Sequence, residues 1–203
     1  VRQTKAALVP RAKQAEQKKE ILWSQLVRMQ ELADKEDEDD LDTTLHMRDM
    51  LMFMLAYFTL LRASEVVRMN RDDITFTQEQ VNGRATTVMH VHVDRMAKND
   101  AKRVGHTRLV AARATGYCLV KRMQQYLAAT ARGQTRKKPA DPLFEKHDGG
   151  RLSVSTPNRS LKSWIESTDT EAKPYGFHSL RAGGATAAIA AGVAPRDLKA
   201  LGE

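Results

Sequence analysis

The inward-facing positions of the chain change their period twice. Between residues 11 and 33, Ile21, Leu22, Gln25, Leu26, Met29 and Leu32 fall near the spacing of an amphipathic helix. A second helix is expected from Thr44 to Leu61, continuing or restarting through "RASEVVRMN". Its stretch "MLMFMLAYFTLL", Met50 to Leu61, is apolar on every side, as a helix buried in a core must be. That run is 12 residues long, short of the roughly 20 needed to span a bilayer.

From Ile74 the period becomes two. "DITFT", "TTVMHVHVDRM" and "RVGHTRLVAA" predict three antiparallel strands, linked by "VNGR" and by the tight, lysine-bearing "AKNDAK". Helical spacing returns over residues 114–131, with Tyr117, Met123, Tyr126, Leu127 and Thr130 expected inward. "RGQTRKKPADP" reads as a basic loop. "STPNRSLKSWIES" reads as a shorter helix, capped by Ser155 or Thr156 with Pro157 in its first turn. The alanine-rich "FHSLRAGGATAAIAAG", Phe177 to Gly192, is a further helix, and the last one begins at Pro195. Helices, then a small three-stranded sheet, then helices predict an α+β domain that is mainly helical.

Two interior glycines, Gly183 and Gly184, each cost such a helix about 1 kcal/mol relative to alanine. Something is therefore expected to approach it closely there, a neighbouring helix rather than DNA.

Length and charge narrow the partner. The 203 residues suit one domain, or one with an appendage. The chain starts at Val1 and stops at "KALGE" inside an apparent helix, so both ends read as cuts and a fragment of a longer protein is expected. The net charge is +8, yet "DKEDEDDLD", Asp34 to Asp42, holds seven acids and one lysine, a net of −6, so the rest carries +14. The acidic run is expected as a solvated loop. The basic remainder points to a polyanion, nucleic acid first. A single cysteine, Cys118, excludes an intramolecular disulfide and suits an intracellular, soluble protein without a membrane partner. Nothing resembles a signal peptide.

"HVHVD" echoes the H-x-H-x-D pattern of metallo-β-lactamase-like hydrolases. Alternation, however, puts His90, His92 and Asp94 on one strand face, and Arg95 stands where another histidine would follow. A polar strand face accounts for them without metal. Phosphate loops of the GxxxxGK[ST] or GxGxxG form are absent, as are GxSxG elbows and structural zinc spacings.

What remains is Arg62 in "LLRASEV", a lysine in the strand turn, and His178 with Arg181. Singly, each has an ordinary explanation. Arg62 and Glu65, three apart, fit a helix-surface ion pair worth about 0.5 kcal/mol; lysines solvate hairpin turns; a histidine at a helix start needs no duty. As a series they mean more. Displacement at a phosphodiester builds negative charge on the non-bridging oxygens, which arginine's planar fork matches. It also needs an acid for the departing oxygen and a group exchanging protons near neutral pH, tasks that fit lysine and histidine.

This ordered series resembles the tyrosine recombinase (phage integrase) family. The family's first box, an arginine with an acid three residues on, is matched by "FTLLRASEV"; its sheet-turn lysine by "MAKNDAKRV"; its H-x-L-R box, letter for letter, by "HSLR". "AAGVAPRDLKALGE" is similar to the "AGV" and "LLGH" or "LGRW" stretches that follow. The likeness runs from about residue 20 to 203, and "SLRAGGATA" most resembles mobile-element recombinases of the DIRS and Crypton types.

The resemblance implies a linker over 1–19 and a catalytic domain over 20–203, incomplete at its C-terminus. It implies DNA cleavage by tyrosine attack on a phosphate, a 3′-phosphotyrosyl link and a free 5′-hydroxyl, with no metal and no cofactor. In that scheme Arg62 and Arg181 hold the non-bridging oxygens and Lys98, with Lys102 as the second candidate, protonates the 5′-oxygen. His178 assists proton transfer, Glu65 orients its neighbours, and Lys102 and Arg103 contact DNA. The implied partner is double-stranded DNA, gripped by a homotetramer on two duplexes. Two features depart. The family's next histidine or tryptophan would fall at or past Glu203 and the nucleophile later still, while Tyr57, Tyr117, Tyr126 and Tyr175 all precede the H-x-L-R box. A non-catalytic DNA-binding relic and a type IB topoisomerase-like enzyme stay open on the sequence alone.

Overall fold

The computed structural model describes residues 18–35, 40–93, 105–131 and 137–202. Helix α1 (Trp23–Ala33) is followed by α2 (Asp40–Thr59) and α3 (Ala63–Arg68). Strands β1 (Ile74–Val81), β2 (Arg84–Val93) and β3 (His106–Ala111) form one antiparallel sheet in that order. Helices α4 (Leu119–Ala131), α5 (Thr156–Glu166), α6 (Phe177–Ala190) and α7 (Pro195–Gly202) complete the described elements.

The core is organised around α2. Every residue from Met50 to Tyr57 is buried, so this helix is covered on all sides, by α1, α4, α5 and α6. The end of the acidic run does not stay in a loop: α2 begins at Asp40. Ile21 and Leu22 precede α1, Leu22 in extended backbone. Their side chains point to opposite sides, Ile21 into the core and Leu22 out to solvent.

The strand links separate cleanly. Asn82 (φ 51°) and Gly83 (φ 74°) both adopt the left-handed conformation that a two-residue hairpin turn requires. The β2–β3 link, with Asp94, Lys98, Lys102 and Arg103, lies outside the described residues. The inner sheet face carries Ile74, Met89, Val91 and Val93, all buried. On the outer face His90 bonds Glu79 (2.9 Å) and Thr77 (2.8 Å), and His92 bonds Thr107 (2.8 Å). The two histidines thus belong to a threonine-rich polar surface.

Gly183 and Gly184 mark where α6 is pressed hardest. A Cβ on Gly183 would overlap the backbone carbonyl of Ile21, and one on Gly184 the backbone carbonyl of Tyr57. The close neighbours are the chain leading into α1 and the last turns of α2. Ile21 N–H also donates to the Ser179 carbonyl (3.0 Å). Together these contacts lay α6 against the chain before α1 and the C-terminal end of α2, and set the position of Arg181.

Candidate active site at the end of α2

Of the two expected courses, continuing or restarting, the chain takes the second and restarts after α2. Leu60, buried at 4% exposure, has φ 55°, a conformation that costs a branched side chain about 1–2 kcal/mol. It follows the last residue of α2, and the chain restarts as α3 three residues later, at Ala63. Arg62 is therefore not inside a helix. It occupies the N-cap of α3 in extended backbone (φ −83°, ψ 156°).

Glu65 fixes Arg62 twice. Its carboxylate accepts the Arg62 backbone N–H at 2.7 Å and the guanidinium Nη1 at 3.0 Å. The Glu65 side chain is mostly buried (12% exposed), whereas the Arg62 side chain keeps 36% of its surface. The pair expected on a helix surface is instead a backbone-anchored clamp with one open side.

Arg181 arrives from α6 and donates from Nη1 to the Leu60 carbonyl at 3.0 Å. It is half-buried, and burial, with Arg62 nearby, lowers its pKa against the opposing pull of Glu65. Two arginines more than a hundred residues apart thus meet at one corner. His178 lies one turn earlier on α6, exposed, and the i,i+3 spacing puts it on the same side of the helix as Arg181. Lys98, Lys102 and Arg103 fall outside the described residues.

A third arginine was not singled out from the sequence. Arg108 on β3 is 6% exposed, and its Nη1 donates to the Thr59 carbonyl, the peptide next to the one Arg181 holds. Burial, reinforced by Arg181 and Arg62 and opposed by Glu65, brings its pKa down to about 10. It remains charged at neutral pH. The signal that would have exposed it is register: Arg108 pairs across the ladder with buried Val91, and paired residues share a face.

The four tyrosines make poor nucleophiles where they stand. Tyr57, Tyr126 and Tyr175 are buried. Desolvation raises the phenol pKa of Tyr57, Tyr117 and Tyr126. Among the described residues no cluster of three or more histidine, cysteine or acidic side chains suits a metal ion, and no helix is long and apolar enough to cross a membrane.

A helical domain built on α2, with a three-stranded antiparallel sheet at one side, has the fold of tyrosine recombinase catalytic domains. XerH recombinase bound to its difH substrate matches with TM-score 0.61 at 17% identity, over 92% of this chain and 46% of that one. A lambda integrase dimer bound to a COC' core site gives 0.60 at 16%, over 95% and 47%. The Tn1549 transposon integrase with circular intermediate DNA gives 0.60 at 16%, over 93% and 58%. The chain spans about half the length of these solved structures. The sequence model of the phage integrase family matches residues 23–203, and the chain belongs to that family. No curated protein sequence matches it.

Proposed function

We propose that this domain serves site-specific DNA recombination or integration, cutting and rejoining one strand at a time through a 3′-phosphotyrosyl intermediate. The observation that carries the reading is the corner at Thr59–Arg62, where Arg181 holds the Leu60 carbonyl beside the Glu65-anchored Arg62. Two partly open guanidiniums there are suited to the non-bridging oxygens of one phosphate. Glu65 orients Arg62, and His178 relays a proton. Lys98 protonates the departing 5′-oxygen, with Lys102 as the alternative, and Lys102 and Arg103 add phosphate contacts. The nucleophile is a tyrosine that the family resemblance puts beyond Glu203. Residues 1–19 act as a linker and 20–203 as the catalytic domain. The substrate is double-stranded DNA, and a homotetramer on two duplexes is the working assembly. The neighbours named above, bound to recombination sites or a transposon intermediate, support this reading by likeness of fold.

The test uses the chain continued through the following stretch of its reading frame and a suicide duplex that traps the covalent complex. Arg62→Ala and Arg181→Ala should each lose trapped complex by about 100-fold or more. DNA binding should weaken far less, because many phosphates share it. Normal trapping by both variants would refute the assigned roles.

A further inference from the structure

Strand β3 is built against its own hydrophobicity. In "TRLV" the leucine is the natural inward residue, yet Leu109 is 60% exposed and Arg108 only 6%. A shift of one residue would reverse both. The register forbids it: Val91 stands opposite Arg108 and His90 opposite Leu109. The sheet therefore exposes a leucine and desolvates a guanidinium, two unfavourable choices at adjacent positions.

What the buried arginine reaches explains the arrangement. Arg108 holds the carbonyl of Thr59 and Arg181 the carbonyl of Leu60, so two guanidiniums from different layers grip consecutive peptides. Those peptides end α2, where the dipole favours cations. They also contain the left-handed Leu60 that turns the chain into Arg62. Arg62, Arg181 and Glu65 all lie within electrostatic reach of Arg108. Three guanidiniums are thus gathered at this corner with the Glu65 carboxylate.

We infer that Arg108 is a positioning residue of the anion site, which fixes the Thr59–Leu60 corner from the sheet side and supplies the third positive charge that draws a phosphate to Arg62 and Arg181. The inference rests on the phosphate-binding reading of that pair. It adds to the pair a buried cation that need not touch the phosphate. The sheet thereby becomes part of the site through its register.

Inorganic phosphate is the probe, titrated into the 203-residue chain while the guanidinium N–H NMR signals of Arg62 and Arg181 are followed. Two neutral variants, Arg108→Met and Arg108→Gln, are compared with Arg108→Lys, each checked for a cooperative melt. Whichever neutral variant melts cooperatively should bind phosphate about tenfold more weakly than wild type. Arg108→Lys, which keeps the charge, should stay within about threefold. An arginine of purely architectural value would change the melting temperature and leave phosphate affinity alone. Unchanged affinity in a folded neutral variant would overturn the inference, as would a loss in Arg108→Lys equal to that in the neutral variants. If wild type gives no phosphate response at Arg62 and Arg181, the proposed site itself fails, and the role of Arg108 with it.

Discussion

Helix α2 carries two arginine clusters that teach opposite lessons. At its middle, Arg48 and Asp49 are both nearly buried and closed upon themselves. One Asp49 oxygen accepts Arg48 Nε (3.0 Å) and Nη2 (2.7 Å), and the other accepts the Ser160 hydroxyl (2.6 Å). Arg48 Nη1 donates to the Glu145 carbonyl (3.0 Å). Charge is matched, and α2 is latched to α5. At the C-terminal end, Arg62, Arg108 and Arg181 share Glu65, and Arg62 keeps an open side. The first cluster is complete without a ligand. The second gathers three guanidiniums around a left-handed corner with Arg62 partly exposed, an arrangement suited to an anion.

The contrast depends first on α6 being pressed against α2. Gly183→Leu with Gly184→Leu should abolish the cooperative thermal transition, because each side chain would collide with backbone rather than with a movable side chain. A normal melt would mean that α6 does not pack as described. Next in size, Asp49→Ala should destabilise the fold by about 3 kcal/mol, by leaving Arg48 buried without its partner. Urea unfolding measures this, and phosphate binding by the folded fraction should be unchanged. Arg181→Ala should behave in the reverse way: about 100-fold less covalent complex, near 2.7 kcal/mol, with stability little altered.

Glu65→Gln should fall between these classes. It keeps a hydrogen-bond acceptor for the Arg62 backbone but removes the charge that steadies the guanidinium. Trapping should drop by about tenfold with the melting temperature nearly unmoved. Smallest is Glu79→Gln on the outer sheet face. Hydrogen bonds from Thr77 and His90 hold the Glu79 carboxyl below its ordinary pKa. Its contribution is present above the ordinary carboxylate range and disappears as pH falls through the lowered value. The variant should melt within about 2 °C of wild type at pH 7 and lose only part of the acid-side decline.

Much of this was legible in the sequence, for identifiable reasons. The shift from helical to alternating period marked the sheet, the Asn82–Gly83 pair marked its first turn, and two glycines in an alanine-rich helix marked a close approach, by α2 at Gly184 and by the chain before α1 at Gly183. Arg62, Glu65, His178 and Arg181 stood out because their types and order match the family's boxes. The break at Leu60 did not, since "FTLLRASEV" keeps its apolar spacing across the corner and nothing local demands a left-handed leucine. Arg108 was hidden for a different reason. Which side of β3 faces inward is decided by its pairing with β2, a long-range fact, and hydrophobicity alone points to Leu109.

The most direct test is a crystal of the 203-residue chain soaked in tungstate, a phosphate-sized oxyanion located by its anomalous signal. A tungstate within hydrogen-bonding distance of both the Arg62 and Arg181 guanidiniums, absent from crystals of Arg181→Ala, is the predicted result. Tungstate bound at other arginines, with that corner left vacant at saturating concentration, would contradict the account.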